Sequence, residues 1–301
     1  MPVDLPPTID PLAAARWSAL RHDASPWLHE EVGRRMEERL QWIKLAPQAW
    51  AHWEPARGGL QAHAALARRY PQAQCHVIEA PANLALTRKR LQAPWWDRVA
   101  RGRPATQFGA PQNSSVQMVW ANMALHMAAD PQSLIGVWQR WLATDGFLMF
   151  SCLGPDTLRE LRDAYRSLGW QPPAHEFTDM HDWGDMLVHA GFAEPVMDME
   201  RITLSFDNAA RSLQELRQLG RNLHVGRDPR MRGRAWYSGL LQALDALAVA
   251  SPQRHALTFE VIYGHAIKAA PRLRVAPETS FPLSEMRKRL RGGRPSPYDH
   301  G

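Results

Sequence analysis

Apolar positions along the chain alternate between two spacings. From Pro26 to Ile43, Leu28, Val32, Met36 and Leu40 recur every four residues with Glu and Arg on the opposite side, which predicts an amphipathic helix. Ala49 to Trp53 is a short run of strand type. Gly58-Gly59 then turns into a helix from Leu60 to Tyr70, closed by Pro71. Cys75 to Glu79 reads as a second strand, followed by a helix from Ala82 to Gln92. Val116 to Asn122 and Gly146 to Cys152 are nearly unbroken apolar runs, the pattern of strands covered on both faces. Between them, Asp130-Pro131 supplies an N-cap and first helical residue for a helix reaching Ala143. Thr157 and Glu160 form a capping-box pattern that opens a helix from Leu158 to Gly169, and a further helix from Asp182 to Ala190 stops at Gly191. Arg201–Phe206 and Ala256–Ala269 alternate as antiparallel strands do, with helical stretches around Leu213–Leu219 and Ala235–Leu247 between them. The opening to about Ser25, rich in Pro and Ala, and the aperiodic stretch Pro94–Pro111 are expected to be irregular.

Strand–helix alternation followed by a strand pair implies an α/β fold. The expected architecture is a doubly wound, mostly parallel sheet with an antiparallel edge strand. The expected division is an irregular N-terminus over 1–25, one domain over 26–270 and a basic tail over 271–301. At 301 residues, 45% hydrophobic, the chain can bury one large core, and its 13 Trp exclude a disordered polymer. Two cysteines far apart, Cys75 and Cys152, exclude a disulfide framework or a zinc site and point to a reducing compartment, hence a cytoplasmic protein. MPVDLPPTIDP is not the pattern of a signal peptide, and no run approaches 18 apolar residues, so no membrane partner is expected. The net charge of +6 suggests nucleic acid only at first sight. Residues 271–301 hold seven Lys/Arg against three Asp/Glu, which leaves +2 on the other 270. The tail segment SEMRKRLRGGR is either a solvated short helix or a contact for nucleic acid or an acidic partner. Thirteen histidines include no H-E-x-x-H and no pairing with a cysteine, so no metal is expected.

Five stretches in order carry a resemblance: Val119–Pro131 (VWANMALHMAADP), Gly154–Tyr165, Phe177–Phe206, Leu213–Arg230 and Leu257–Lys268. Together they resemble the malonyl-acyl-carrier-protein O-methyltransferases of biotin synthesis, and EEVGRRMEERL looks like that family's N-terminal lid helix. The resemblance implies a seven-stranded class I methyltransferase sheet binding S-adenosylmethionine at the carboxyl ends of its first strands. It also implies methyl transfer to the free carboxylate of a malonyl thioester, with an acyl carrier protein or acyl thioester as partner. Since the carboxylate is already the nucleophile, such catalysis is alignment in a dry pocket, and no acid–base residue is singled out.

By resemblance the cofactor-binding candidates are Gly58, Glu79, Trp120 and Asn122, and the substrate-binding candidates Arg227 and Arg230. Each has a plainer alternative. Gly58 can be a turn glycine, Glu79 a solvated strand end, Trp120 a core residue, and GRDPR a simple Asp-Pro turn. The family pattern Asp/Glu-x-Gly-x-Gly-x-Gly is rewritten here as His52-Trp53-Glu54-Pro55-Ala56-Arg57-Gly58. Pro55 removes a donor, and Glu54 and Arg57 bring bulk where the cofactor would pass. The acid expected near the adenine aligns with Ala105, the family's N-terminal tyrosine has His22 as nearest counterpart, and an expected Arg-Phe pair becomes Glu176-Phe177. Two functions follow, an S-adenosylmethionine-dependent methyltransferase or a non-catalytic homologue kept as a binding or regulatory module.

Overall fold

Seven strands form one sheet in the order β3-β2-β1-β4-β5-β7-β6. The computed structural model describes residues 9–91, 102, 104–230, 232–249 and 255–270, so the basic tail and most of the stretch after Leu91 lie outside the described residues. The strands are β1 Ala49–Trp53, β2 Gln74–Ile78, β3 Gln107–Phe108, β4 Val116–Ala121, β5 Leu142–Leu153, β6 Phe192–Ser205 and β7 Ala256–Lys268. The helices are α1 Pro11–Ser18, α2 Trp27–Arg39, α3 Pro55–Gly58, α4 Leu60–Arg69, α5 Pro81–Leu91, α6 Pro131–Trp141, α7 Arg159–Ser167, α8 Met180–His189, α9 Ala209–Leu219 and α10 Arg234–Val249. Strands β1 to β5 are parallel, while β7 runs antiparallel to both β5 and β6. This is the doubly wound, mostly parallel sheet that the alternation implies. Its order reverses between β1 and β4, the place where such folds bind ligands beyond the carboxyl ends.

The apolar runs become the middle of the sheet because each residue in turn feeds one of two cores. Met118 and Trp120 join Leu28, Met36 and Trp50 on one face; Val119 and Ala121 join Trp138, Phe150 and Trp183 on the other. The four-residue stripe of α2 does as its spacing predicts, with Leu28, Val32 and Met36 all buried.

Three local expectations need correction. The stretch Pro94–Pro111 is not irregular throughout, since Gln107 and Phe108 pair with His76 and Val77 as β3. The N-terminus is not wholly irregular, since Asp10 caps α1 by accepting from the amides of Leu12 and Ala13, and Pro11 takes the first position. The Thr157/Glu160 pair does not form a capping box. Thr157 Oγ1 donates to the Glu260 carbonyl and accepts from the Glu260 amide, and Glu160 accepts from the amide and hydroxyl of Thr258. Both side chains therefore bind β7, and α7 starts after a left-handed Leu158 without a side-chain cap.

Candidate functional site at the strand-order reversal

The chain leaves β1 through Glu54, whose backbone is left-handed at φ 47° and ψ 58°, a conformation that a non-glycine residue holds only under constraint. The constraint is visible. The Glu54 amide donates to the Ile78 carbonyl at 2.7 Å, and the Glu54 carbonyl accepts from Gly58 at 2.8 Å. Pro55 then opens the one-turn α3, where the missing amide hydrogen costs nothing. Gly59, at φ 127°, adopts backbone that a side chain would strain, and a Cβ there would meet Glu30 Oε2 at 3.1 Å. The rewritten loop is thus ordered by its own backbone bonds.

Arg57 sits at the centre of the arrangement and is 6% exposed. Its Nη2 donates to the Trp17 carbonyl at 3.2 Å and to His22 Nε2 at 3.0 Å, and its Nη1 pairs with Glu54 Oε2 at 3.2 Å. The guanidinium carbon lies 4.7 Å from the centre of the Trp17 ring. The Arg57 carbonyl accepts from His29 Nδ1 of α2 at 2.9 Å. Burial pulls the Arg57 pKa down, against the opposing pull of the Glu54 and Glu79 charges. Burial likewise lowers His22 and His29 to about 4, so at neutral pH both rings are uncharged. Burial pushes the Glu54 carboxyl up, Arg57 pulls it down, and Glu79 pushes it up again.

Glu79 ends β2 where the resemblance puts a ribose acid, but its oxygens face the chain's own donors. Oε2 accepts from the Ala56 amide at 2.9 Å and the Thr87 hydroxyl at 3.0 Å, and Oε1 from the Ala80 amide at 3.0 Å. Gly58 is packed against β4: a Cβ would meet the Asn122 carbonyl at 3.0 Å. Asn122 joins three elements, its Nδ2 donating to the carbonyls of His29 and Gly58 and its Oδ1 accepting from Ser151 Oγ at 2.5 Å. Gly58, Glu79 and Asn122 therefore converge on the rewritten loop. Trp120 does not join them, because it is fully buried in the core on the α2 side. Ala105 is exposed and offers its carbonyl to Gln74 Nε2 at 2.6 Å.

The N-terminal segment closes the mouth of this region. Asp10 donates its amide to the Leu223 carbonyl at 2.8 Å, and its carboxylate pairs with Arg227 at 2.7 Å, which holds the acid below its ordinary pKa. Ile9, Ala14, Trp17 and Leu223 make a small core of their own. A cavity of about 360 Å³ remains beneath α1, bounded by Trp17, Trp53, Glu54, Arg57, Met123 and Met127. Arg230 stands apart from it, exposed and paired with Asp228 at 2.9 Å. Arg227 and Arg230 are thus each occupied within or beside the GRDPR turn. Among the described residues no group of three or more His, Cys, Asp or Glu could hold a metal ion.

Trp17 and His29 had no motif to announce them, although Asp10-Pro11 carries the start signal that orders the helix containing Trp17. The bulk of Arg57 was legible; its placement among two carboxylates, an imidazole and an indole is a tertiary fact.

No protein-family model matches the chain. It is 39% identical over 261 residues to the malonyl-acyl-carrier-protein O-methyltransferase of Gallionella capsiferriformans, covering 84% of this chain and 88% of that one. The protein of the same description from Laribacter hongkongensis is 37% identical over 266 residues, covering 85% and 88%. In structure, YcgJ of Bacillus subtilis matches with a TM-score of 0.51 at 11% identity, over 79% of this chain and 99% of that one, a likeness of fold. A methyltransferase-type protein of Bacillus halodurans matches with a TM-score of 0.52 at 14% identity, over 79% of this chain and all of that one.

Proposed function

The chain belongs to the malonyl-acyl-carrier-protein O-methyltransferase family, and from that premise we propose that it is a non-catalytic member, keeping the methyltransferase fold as a binding or regulatory module. The observation that carries this reading is the buried Arg57 guanidinium, held on Trp17, His22 and Glu54 just beyond β1, where the cofactor of such a fold would pass. Glu79 supports it, since the acid that would receive ribose hydroxyls already accepts three bonds from Ala56, Ala80 and Thr87. On this reading the arrangement of side chains refuses S-adenosylmethionine.

The partner we propose is an acyl thioester or the carrier protein that bears one, met through Arg227 and above all the exposed Arg230. A cytoplasmic location goes with this reading, and the free, buried Cys75 and Cys152 suit it. Among the described residues no helix is long and apolar enough to cross a membrane.

Titration of the purified protein with S-adenosylmethionine and S-adenosylhomocysteine tests the reading. At about 1 kcal/mol per net hydrogen bond, losing two loop glycines' contacts and the acid at Ala105 removes about 3 kcal/mol, roughly a hundredfold in affinity. A dissociation constant above about 100 μM is expected, with no growth restored to a biotin-requiring strain lacking its own methyltransferase. Low-micromolar binding with restored growth would establish the enzyme instead.

A further inference from the structure

Arg57 does more than obstruct. Its cation lies against the Trp17 ring and pairs with the Glu54 carboxylate, with the charge of Glu79 also favouring its protonated state. Aromatic faces and carboxylates around a desolvated cation are the features that proteins use to recognise organic cations. The surroundings on the cavity side fit the same description, since Trp53, Met123 and Met127 are large, polarisable and apolar. Arg57 is also the tie between this pocket and the segment above it. Its bonds to the Trp17 carbonyl and to His22 join α3 to α1 and to the turn that follows it.

We infer that the cavity beneath α1 is an organic-cation site whose occupant is the chain's own Arg57, and that this side chain, added to the lost loop contacts, turns a free sulfonium ligand away. The inference rests on the reading of the chain as a member that does not hold the cofactor. It adds the reason for the refusal and the chemistry of what the emptied site would accept. Without the guanidinium, the Glu54 carboxylate is left without its cation, beside an aromatic wall and a cavity enlarged by the missing side chain, with the charge of Glu79 nearby. Carboxylates so placed repel one another in a low-dielectric setting and attract any cation that can reach them. A sulfonium on an apolar body answers both the charge and the shape; the corresponding neutral thioether answers only the shape.

The test compares S-adenosylmethionine, a sulfonium, with S-adenosylhomocysteine, its uncharged thioether, by calorimetric titration of the full-length wild type, Arg57→Ala and Arg57→Lys. The expected result is weak binding of both by the wild type. Arg57→Ala should gain at least tenfold for the sulfonium and prefer it to the thioether. Arg57→Lys, which keeps an internal cation, should stay closed to both. Hydrogen exchange over residues 11–22 is expected to quicken in Arg57→Ala, because the Trp17 carbonyl and His22 lose their donor. Should the alanine variant not fold, Arg57→Met keeps the volume of the stem without the charge and is read by the same titrations. Weak binding by the wild type with no gain in the folded neutral variant would overturn the inference and leave the non-catalytic reading standing. Equal gains for sulfonium and thioether would overturn the cation site, as would a gain in Arg57→Lys. Low-micromolar binding by the wild type would instead overturn the non-catalytic reading on which the inference rests.

Discussion

The two sides of the strand-order reversal are built on different physical terms. On the β4–β5–β7–β6 side, long ladders carry an interior dominated by large apolar side chains, with Ser151, Thr157, Thr258 and Glu260 buried among them: β5 and β7 pair from Phe147 with Ile267 to Leu153 with Val261, and Phe150, Trp138 and Trp183 fill one face. On the β1–β2–β3 side the strands have five, five and two residues, and the carboxyl ends are held by polar groups out of water. His52 and His63 share a 3.1 Å contact between their Nδ1 atoms, and Arg57, Asn83 and Thr87 are buried elsewhere in the same half. Apolar packing depends on volume and periodicity, which tolerate drift as long as both persist. A polar site depends on particular partners, so it can be emptied of one ligand and refilled by another side chain while the sheet around it stands. The five stretches that carry the resemblance all lie from Val119 onward, while the rewritten loop lies on the second side.

The largest way to break the contrast is to damage the apolar side. Phe150 has no exposed surface and lies directly over Gly264, where an added Cβ would stand 2.1 Å from its ring. Phe150→Ala is expected to cost about 4 kcal/mol in urea denaturation, and about 10 °C in melting temperature. A loss below about 2 kcal/mol would mean that this interior is looser than its burial implies.

The same contrast governs how much was legible in the sequence. Val116–Asn122 and Gly146–Cys152 announced themselves as buried strands because period and burial coincide; that β4 and β5 pair, Trp120 with Met149 and Ala121 with Phe150, is a tertiary fact. The Thr157/Glu160 pattern misled because a capping box is a local rule, and β7, a hundred residues away, offered both side chains better partners. Asp10-Pro11 carries the start signal of Asp130-Pro131, but the prolines and alanines around it point to irregular structure. The retained Glu79 looked like a remnant of ribose binding. That it caps the loop through Ala56 depends on where α3 lies, which no spacing in the chain records.

A second measurement sharpens the contrast through pH. His29, buried and lowered to about 4 by burial, stays neutral in the fold while the unfolded chain takes up a proton near pH 6.5. Its contribution is therefore complete above about pH 7 and lost as pH falls through 6.5 towards 4. About 2.5 kcal/mol should be gone by pH 4.5. His63, also lowered to about 4 by burial, acts in the same direction. Glu54 and Glu79, pushed up by burial, act in the opposite one. Urea midpoints at pH 7 and 4.5 read the slope. His29→Asn, which keeps a donor for the Arg57 carbonyl without a titrating ring, is expected to flatten it. An unchanged slope would place the acid sensitivity on groups other than His29.

The smallest effect decides what Glu79 is for. As a ribose acid it would contribute to ligand binding and little to the fold; as the cap of the rewritten loop it contributes to the fold and nothing to a ligand that does not enter. Glu79→Gln keeps the shape and one acceptor oxygen but turns the other position into a donor, facing either the Ala80 amide or the Ala56 amide and Thr87 hydroxyl. One accepted bond is lost and a donor is set against a donor, so the expected cost is about 1 kcal/mol. In a chain of this size that lowers the melting temperature by about 2 to 4 °C, within reach of scanning calorimetry. Removing a negative charge near Arg57 also lessens the pull that keeps the guanidinium protonated in its buried place. The loss should therefore shrink in the Arg57→Ala background, where that charge is absent. S-adenosylhomocysteine binding, expected to be weak in the wild type, should stay the same in Glu79→Gln. A variant that melts like the wild type but loses measurable affinity for the thioether would return Glu79 to the ribose, and with it the polar half of the sheet to the cofactor.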